Sequence, residues 1–338
     1  VSTPMAGSGI AHLRADEKRA LTVENLVVEF PVTGGVVHAV SDLSIDVLPG
    51  ETLGILGESG CGKSSAGRAL MQLPAPTSGR VLLGDAELTA LKKNDMRRAR
   101  AKMQMIMQDP VSALNPRRKV KDLVAEGLEV WGFEGKDRAK FVDDLLSSVG
   151  LDPAVVRDRR PHELSGGQCQ RVCIARSLAL DPDVLICDEP VSSLDVSVQA
   201  QVLNLLEETR ERYDLSMIFI AHDVAVVKNI SDRVMVMYLG KTCEVIPSDD
   251  MQNKALHPYT RLLLASVPSA ADAQARAAGE ATAEAPVKDV ELPSPLNPPS
   301  GCRFRTRCPL ATEQCAAEEP VLREMRPGQF VACHNVSA

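Results

Sequence analysis

The sequence predicts an α/β fold with a central parallel sheet and an antiparallel β edge, and three stretches carry that prediction. "TLGILGESGCGKSSAGRALMQL" (residues 52–73) runs apolar strand, glycine loop, helix. "DVLICDEP" and "LSMIFIAHD" are short unbroken apolar runs, the form taken by central strands covered on both faces. "RVMVMYLGKTCEVI" reads as a closing hairpin.

The remaining elements come in chain order. A polar stretch over residues 1–20 is expected to be flexible. "LTVENLVVEFPV" and "VVHAVSDLSIDVLPGE" then alternate apolar and polar residues, as half-exposed strands do, and supply the β edge. From Lys92 to about residue 165 the pattern turns charged and helical, through "NDMRRARAKMQMIM" and "KVKDLVAEGLEVWGF", which points to an inserted helical subdomain. "HPYTRLLLASVP" is a short amphipathic helix that closes a main domain spanning residues 21–268. An Ala-rich stretch over 269–292 reads as a linker, and a Pro-rich entrance leads to a four-cysteine extension over 293–338.

A chain of 338 residues with 44% hydrophobic content can bury a full core. The net charge of −7 and the lack of a clustered Lys/Arg stripe argue against a nucleic-acid partner, which would need such a stripe to neutralise phosphates. Aromatic residues make up 3%, too few for base-stacking platforms. "EETRER" and "MRRARAK" read as solvated helix faces. No apolar run is long enough to cross a bilayer and the first twenty residues lack a signal-peptide core, so the chain is expected in the cytoplasm.

"GESGCGKS" (Gly57, Glu58, Ser59, Gly60, Cys61, Gly62, Lys63, Ser64) fits the G-x-x-x-x-G-K-[ST] phosphate loop, in the strand-to-helix context that the motif requires. The glycines let backbone N–H groups wrap a phosphate at the positive end of a helix, and Ser65 continues the cradle. Lys63 would reach the β- and γ-phosphates and Ser64 would ligate Mg²⁺. Cys61 is expected to act through its backbone. "VLICDEP" places Asp188 and Glu189 beyond the C-terminal end of a strand, where parallel sheets gather ligands. Asp188 suits Mg²⁺, and Glu189 could polarise a water for attack on the γ-phosphate. "LSGGQ" (Leu164, Ser165, Gly166, Gly167, Gln168) precedes an apolar-periodic run, so it reads as a helix start that holds an anion without a lysine of its own.

The order Lys63, Gln108, "LSGGQ", Asp188-Glu189, "SSLD" ending at Asp195, and His222 resembles the ATP-binding cassette, or ABC, ATPases over about residues 22–268. That resemblance implies a P-loop NTPase (RecA-like) core, ATP and Mg²⁺ as ligands, and two ATPase subunits that sandwich ATP. By it, "LSGGQ" docks on the partner's γ-phosphate, Gln108 senses Mg²⁺, Asp195 bridges the dimer and His222 contacts the γ-phosphate. "MQMIMQDPVSALNPR", "HPYTRLLLASVP" and "SPLNPPSGCRFRTRCP" resemble, more narrowly, the oligopeptide/dipeptide and nickel importer ATPases. The implied function is an ATPase that energises peptide import from the cytoplasmic face of the membrane. The implied partners are a related but different ATPase chain, two transmembrane permeases and an extracytoplasmic substrate-binding protein. A nickel importer or a soluble ABC ATPase is the alternative. Where many ABC ATPases stack adenine on an aromatic residue, "GGVVHAV" offers Val37 and His38 instead.

Four of nine cysteines fall at Cys302, Cys308, Cys315 and Cys333. Four thiolates suit a [4Fe-4S] cluster or a structural zinc, although the spacing lacks the paired C-x2-C of common zinc ribbons. Some members of the importer family carry a [4Fe-4S] cluster in such a tail, so the resemblance favours iron-sulfur over Zn²⁺. Unligated thiols, or His334 replacing one ligand, stay open.

Overall fold

The computed structural model describes residues 10–14, 16–132, 137–266 and 292–337. Strands β1 (Leu21–Val32), β2 (Gly35–Val47), β4 (Ser78–Leu83) and β5 (Ala86–Glu87) form an antiparallel sheet in the order β2-β1-β4-β5. This is the expected β edge. The second sheet has eight strands in the order β11-β12-β10-β9-β3-β8-β7-β6. Its parallel centre comprises β3 (Thr52–Leu56), β6 (Met103–Ile106), β7 (Val184–Asp188), β8 (Ser216–Ala221) and β9 (Arg233–Tyr238). The hairpin partner β10 (Lys241–Pro247) runs antiparallel to β9.

Side chains alternate across each central strand, and both faces are buried. Val184, Ile186, Ile218 and Ile220 point into a core shared with β1, β2 and helix α1 (Lys63–Leu70). Leu185, Cys187, Met217 and Phe219 point into the opposite core. That second core is covered by helices α3 (Val120–Val124), α5 (Arg138–Ser148), α7 (Gly166–Leu178), α8 (Val196–Tyr213) and α9 (Val224–Ile230). Burial on both faces is why these strands read as unbroken apolar runs. The remaining helices are α2 (Lys93–Lys102), α4 (Glu126–Val130), α6 (Pro153–Val156), α10 (Met251–Lys254), α11 (Pro258–Ala265) and α12 (Glu313–Ala317).

Three departures from the sequence reading have physical causes. "MQMI" is not helical: Met103–Ile106 forms β6, the edge strand paired with β7, so a strand interrupts the expected helical stretch after the helix over Lys93–Lys102. Residues 10–14 are tied down rather than loose, because the buried His12 ring lies 2.9 Å from the Ser44 carbonyl. Arg14 also enters an ion network with Asp46 and Glu51, both of which Arg233 binds from the other side. Finally, the extension does not stand apart: β11 (Arg323–Arg326) and β12 (Gln329–Val331) add a hairpin to β10 and so lengthen the main sheet. Residues 1–9 and 267–291, with almost all of the expected linker, lie outside the described residues.

Candidate active site

The phosphate loop leaves β3 and enters α1 through Gly62, whose backbone has φ 104°. A Cβ there would lie 2.0 Å from the Ala39 carbonyl oxygen, so glycine is required by conformation and by space. The Lys63 ammonium donates to the carbonyls of Gly57 and Glu58 at 2.8 and 3.0 Å and stands 4.0 Å from Glu189. Ser64 Oγ donates to Asp188 Oδ1 at 2.7 Å. The Cys61 thiol is buried and burial pushes it up, which leaves it an inert filler beneath the loop.

Strand order brings the other groups in. Glu189 follows β7, directly beside β8 and β6, and its φ of 48° is a left-handed conformation uncommon for a non-glycine residue. Gln108, just after β6, donates through Nε2 to Glu189 Oε2 at 2.9 Å. His222, just after β8, places Nδ1 3.4 Å from the same oxygen. Lys63, Gln108 and His222 therefore converge on one carboxylate. Burial raises the Asp188 carboxyl, partly offset by the Ser64 hydroxyl.

The "LSGGQ" residues, Leu164 through Gln168, do not line this site. Ser165 caps α7: its Oγ accepts from the Gln168 N–H at 3.2 Å, while Gln168 Oε1 accepts from the Ser165 N–H at 3.0 Å. Ser165 and Gly166 are exposed, whereas a Cβ on Gly167 would meet Val198 Cγ1 at 2.6 Å, so α7 packs on α8 at van der Waals range. Asp195 caps α8, accepting from the Val198 N–H and the Ser197 hydroxyl, which hold its carboxyl below the usual range. The next residue, Val196, is 82% exposed.

Ser59 through Ser65, Gln108 and Glu189 line a cavity of about 240 Å³. Phe30, Val37, His38, Ala39, Leu239 and Pro295 line it too, and none of Leu164 through Gln168 does. Phe30, Leu239 and Pro295 were not legible as pocket residues. Phe30 carries no local signal beyond strand alternation, and Pro295 reaches the pocket from the far end of the chain.

Among the described residues no three His, Cys, Asp or Glu side chains are arranged to hold a metal ion. Oxygen donors at Ser64, Gln108 and Asp188, with few carboxylates, suit Mg²⁺, which takes much of its shell from phosphates and water. The extension's thiols are free, and the Cys302 N–H donates to the Cys315 carbonyl at 2.8 Å. Cys302 is pushed up to about 12, chiefly by burial and also by Cys315, Cys333 and Cys308. Cys315 Sγ lies 3.4 Å from Thr312 Oγ1 and from Asn335 Nδ2. His334 points instead to the Glu318 carbonyl.

The sequence pattern described as "ABC transporter" matches residues 40–192, and that described as "Oligopeptide/dipeptide transporter, C-terminal region" matches residues 243–315. The probable peptide ABC transporter ATP-binding protein y4tS of Sinorhizobium fredii is 48% identical over 93% of this chain and 89% of its own length. The chain belongs to the ABC transporter ATP-binding subunits. The oligopeptide transport ATP-binding protein AppF of Bacillus subtilis is likewise 44% identical over 96% of this ABC subunit and 99% of its own length. Among solved structures, cbiO1 of Clostridium perfringens, part of the transporter complex cbiONQ, has 28% identity and a TM-score of 0.60, covering 69% of this chain and 90% of its own. The ABC cassette MJ0796, dimeric and bound to ADP and Pi, has 24% identity and a TM-score of 0.62, covering 68% of this chain and 98% of its own, and shares the fold. The ABC subunit is an ATPase of the P-loop class. No helix among its described residues is long and apolar enough to cross a membrane.

Proposed function

We propose that this ABC subunit hydrolyses ATP to drive a membrane importer of peptides. The observation that carries the reading is the convergence of Lys63, Gln108 and His222 on Glu189 at the end of a phosphate loop. Glu189 accepts the proton of the attacking water, and Gln108 and His222 hold its carboxylate toward the γ-phosphate. Lys63 leaves its loop carbonyls for the β- and γ-phosphates. Ser64, Gln108 and Asp188 would hold Mg²⁺, which would supply charge neutralisation for the transferred phosphoryl group. Positioning and charge neutralisation carry most of the rate.

The α7 N-terminus supplies anion-binding N–H groups at an exposed Ser165-Gly166, away from its own pocket, so its phosphate belongs to a second ATPase subunit. Leu164 through Gln168 clasp that subunit's ATP and Asp195 bridges the pair. The exposed Val196 beside Asp195 is consistent with a surface that another chain covers. The second subunit is a related chain, and the pair works on two permeases fed by an extracytoplasmic binding protein, from the cytoplasmic face. Peptide cargo is favoured by the named relatives and by the match of residues 243–315.

Cys302, Cys308, Cys315 and Cys333 would hold a [4Fe-4S] cluster in this reading, which rests on the resemblance of the tail to that of importer ATPases and on all four thiols being free. Anaerobic purification should give a brown, iron-containing protein; a colourless, zinc-loaded one would overturn that assignment.

The functional test is purification of the intact complex from membranes, identification of every chain, and ATP-driven uptake of labelled peptides into vesicles. Uptake of nickel instead of peptides, or isolation without permeases, would overturn the transport reading.

A further inference from the structure

Glu58 is an acidic residue inside a loop built to hold phosphate, and every polar group it carries is engaged. Its N–H donates to the Tyr259 hydroxyl, its carbonyl accepts from Lys63 Nζ and from the Cys61 N–H, and its carboxylate accepts two hydrogen bonds from the Arg307 guanidinium. The backbone contacts keep the loop in shape. The carboxylate works against the loop's task, because a negative charge beside an incoming triphosphate raises the electrostatic cost of binding.

The charge balance around the loop makes that cost matter. Two cavities meet there, sharing Ser59, Gln108 and Glu189, and Glu58 lines the second together with Asp109, Glu189 and His222. Among the described residues that line either cavity, Lys63 is the one Lys or Arg, against the carboxylates of Glu58, Asp109 and Glu189. The compensating charge for Glu58 comes from outside, 249 residues downstream. Arg307 is seated against the rings of Tyr238 and Phe304, 5.8 and 6.0 Å from their centroids, and both rings are buried. An arginine stacked on buried rings and forked onto one carboxylate keeps little freedom, so its charge stands at a fixed point beside the loop.

We propose that Arg307 is a positioning residue for nucleotide binding: acting through Glu58, it cancels the one carboxylate that the phosphate loop carries and holds it off the incoming phosphates. This rests on the ATP reading of the phosphate loop. The C-terminal extension is then part of the ATP site, and the loop without it presents an uncompensated negative charge to its ligand.

The test is equilibrium binding of ATP, by calorimetry without Mg²⁺, to the full chain and to a charge cycle of variants. Arg307→Ala should weaken ATP about fivefold, and the deficit should shrink as salt rises from about 0.05 to about 0.5 M. Glu58→Gln, which removes the repelling charge and leaves the Arg307 charge in place, should tighten ATP about twofold. Glu58→Gln combined with Arg307→Ala should return to the parent affinity, and Arg307→Lys should keep most of it. A merely structural tether predicts another order: Glu58→Gln and the double variant would both bind as weakly as Arg307→Ala, at every salt concentration. That order, or unchanged affinity in Arg307→Ala, would overturn the proposal. If Arg307→Ala does not fold, Glu58→Gln decides alone, since the two accounts give it opposite signs. Lys63→Ala is the separate control: undiminished ATP binding in it would reject the phosphate-loop reading itself, whatever Arg307 does.

Discussion

The Arg307 guanidinium sits squarely on the Glu58 carboxylate, through hydrogen bonds of 2.6 and 2.9 Å, and ties the C-terminal extension to the phosphate loop. The fork is largely shielded, with Arg307 11% exposed and Glu58 31% exposed. Tyr259 in α11 holds the same residue from below, its hydroxyl accepting from the Glu58 N–H at 2.9 Å. A two-point, partly shielded pair of this kind exceeds an ordinary surface ion pair. A cycle of Arg307→Ala, Glu58→Gln and the double variant should therefore show a coupling of about 1 kcal/mol in thermal or denaturant unfolding. Strict additivity would mean that the contact does not join the two regions.

Glu189 lies at the meeting point of Lys63, Gln108 and His222. Glu189→Gln keeps the shape but removes the basic oxygen, so hydrolysis should fall at least about a hundredfold while ATP affinity is retained. Single-turnover hydrolysis beside a binding titration separates the two. Turnover near that of the parent would take Glu189 out of its role.

Gly167 has a steric job distinct from any contact with phosphate. Gly167→Ala should push α7 from α8, because Val198 is stiff and its Cγ1 would lie 2.6 Å from the new methyl. The expected cost is about 1–3 kcal/mol in urea unfolding. Val198→Ala in the same chain should recover part of that loss, and an undiminished loss in the double variant would contradict the packing explanation.

His257 caps α11, accepting from the Tyr259 N–H through Nδ1 at 3.1 Å, and burial lowers it to about 3. The unfolded chain takes up a proton near pH 6.5 that the folded chain refuses, so stability is full above that value and falls as pH drops toward the folded one. Between pH 6.5 and 5 the loss from this one group is about 2 kcal/mol. His257→Gln should be less stable at neutral pH but show a correspondingly shallower decline in unfolding midpoint over that interval. An identical decline in both proteins would contradict a buried neutral imidazole.

Much of this was legible in the sequence because the signals are local. The glycine loop between strand and helix, the paired carboxylates at a strand end, and the Ser165 cap all depend on neighbours within a few residues. The central strands were legible through burial on both faces. β6 was not: "MQMI" comes directly after a charged helix, and four residues are too few for strand alternation to stand out. The junction of extension and pocket was illegible for another reason. "HPYTRLLLASVP" and "SPLNPPSGCRFRTRCP" could be identified as family-specific phrases, but pattern alone does not reveal that Tyr259 of one and Arg307 of the other end on Glu58. Phe30 carries no distinguishing signal, because a pocket aromatic on the paired strand has the same alternation as a core one.

The central claim is that ATP is clasped between two ATPase subunits, one supplying the phosphate loop and the other Ser165 and its neighbours. Sedimentation of the Glu189→Gln chain, alone and with any ATPase chain isolated with it from membranes, tests it most directly. The account predicts that saturating ATP with Mg²⁺ converts separate subunits to a dimer and that Ser165→Arg prevents it. Subunits that stay apart with ATP bound, or a dimer indifferent to Ser165→Arg, would contradict it.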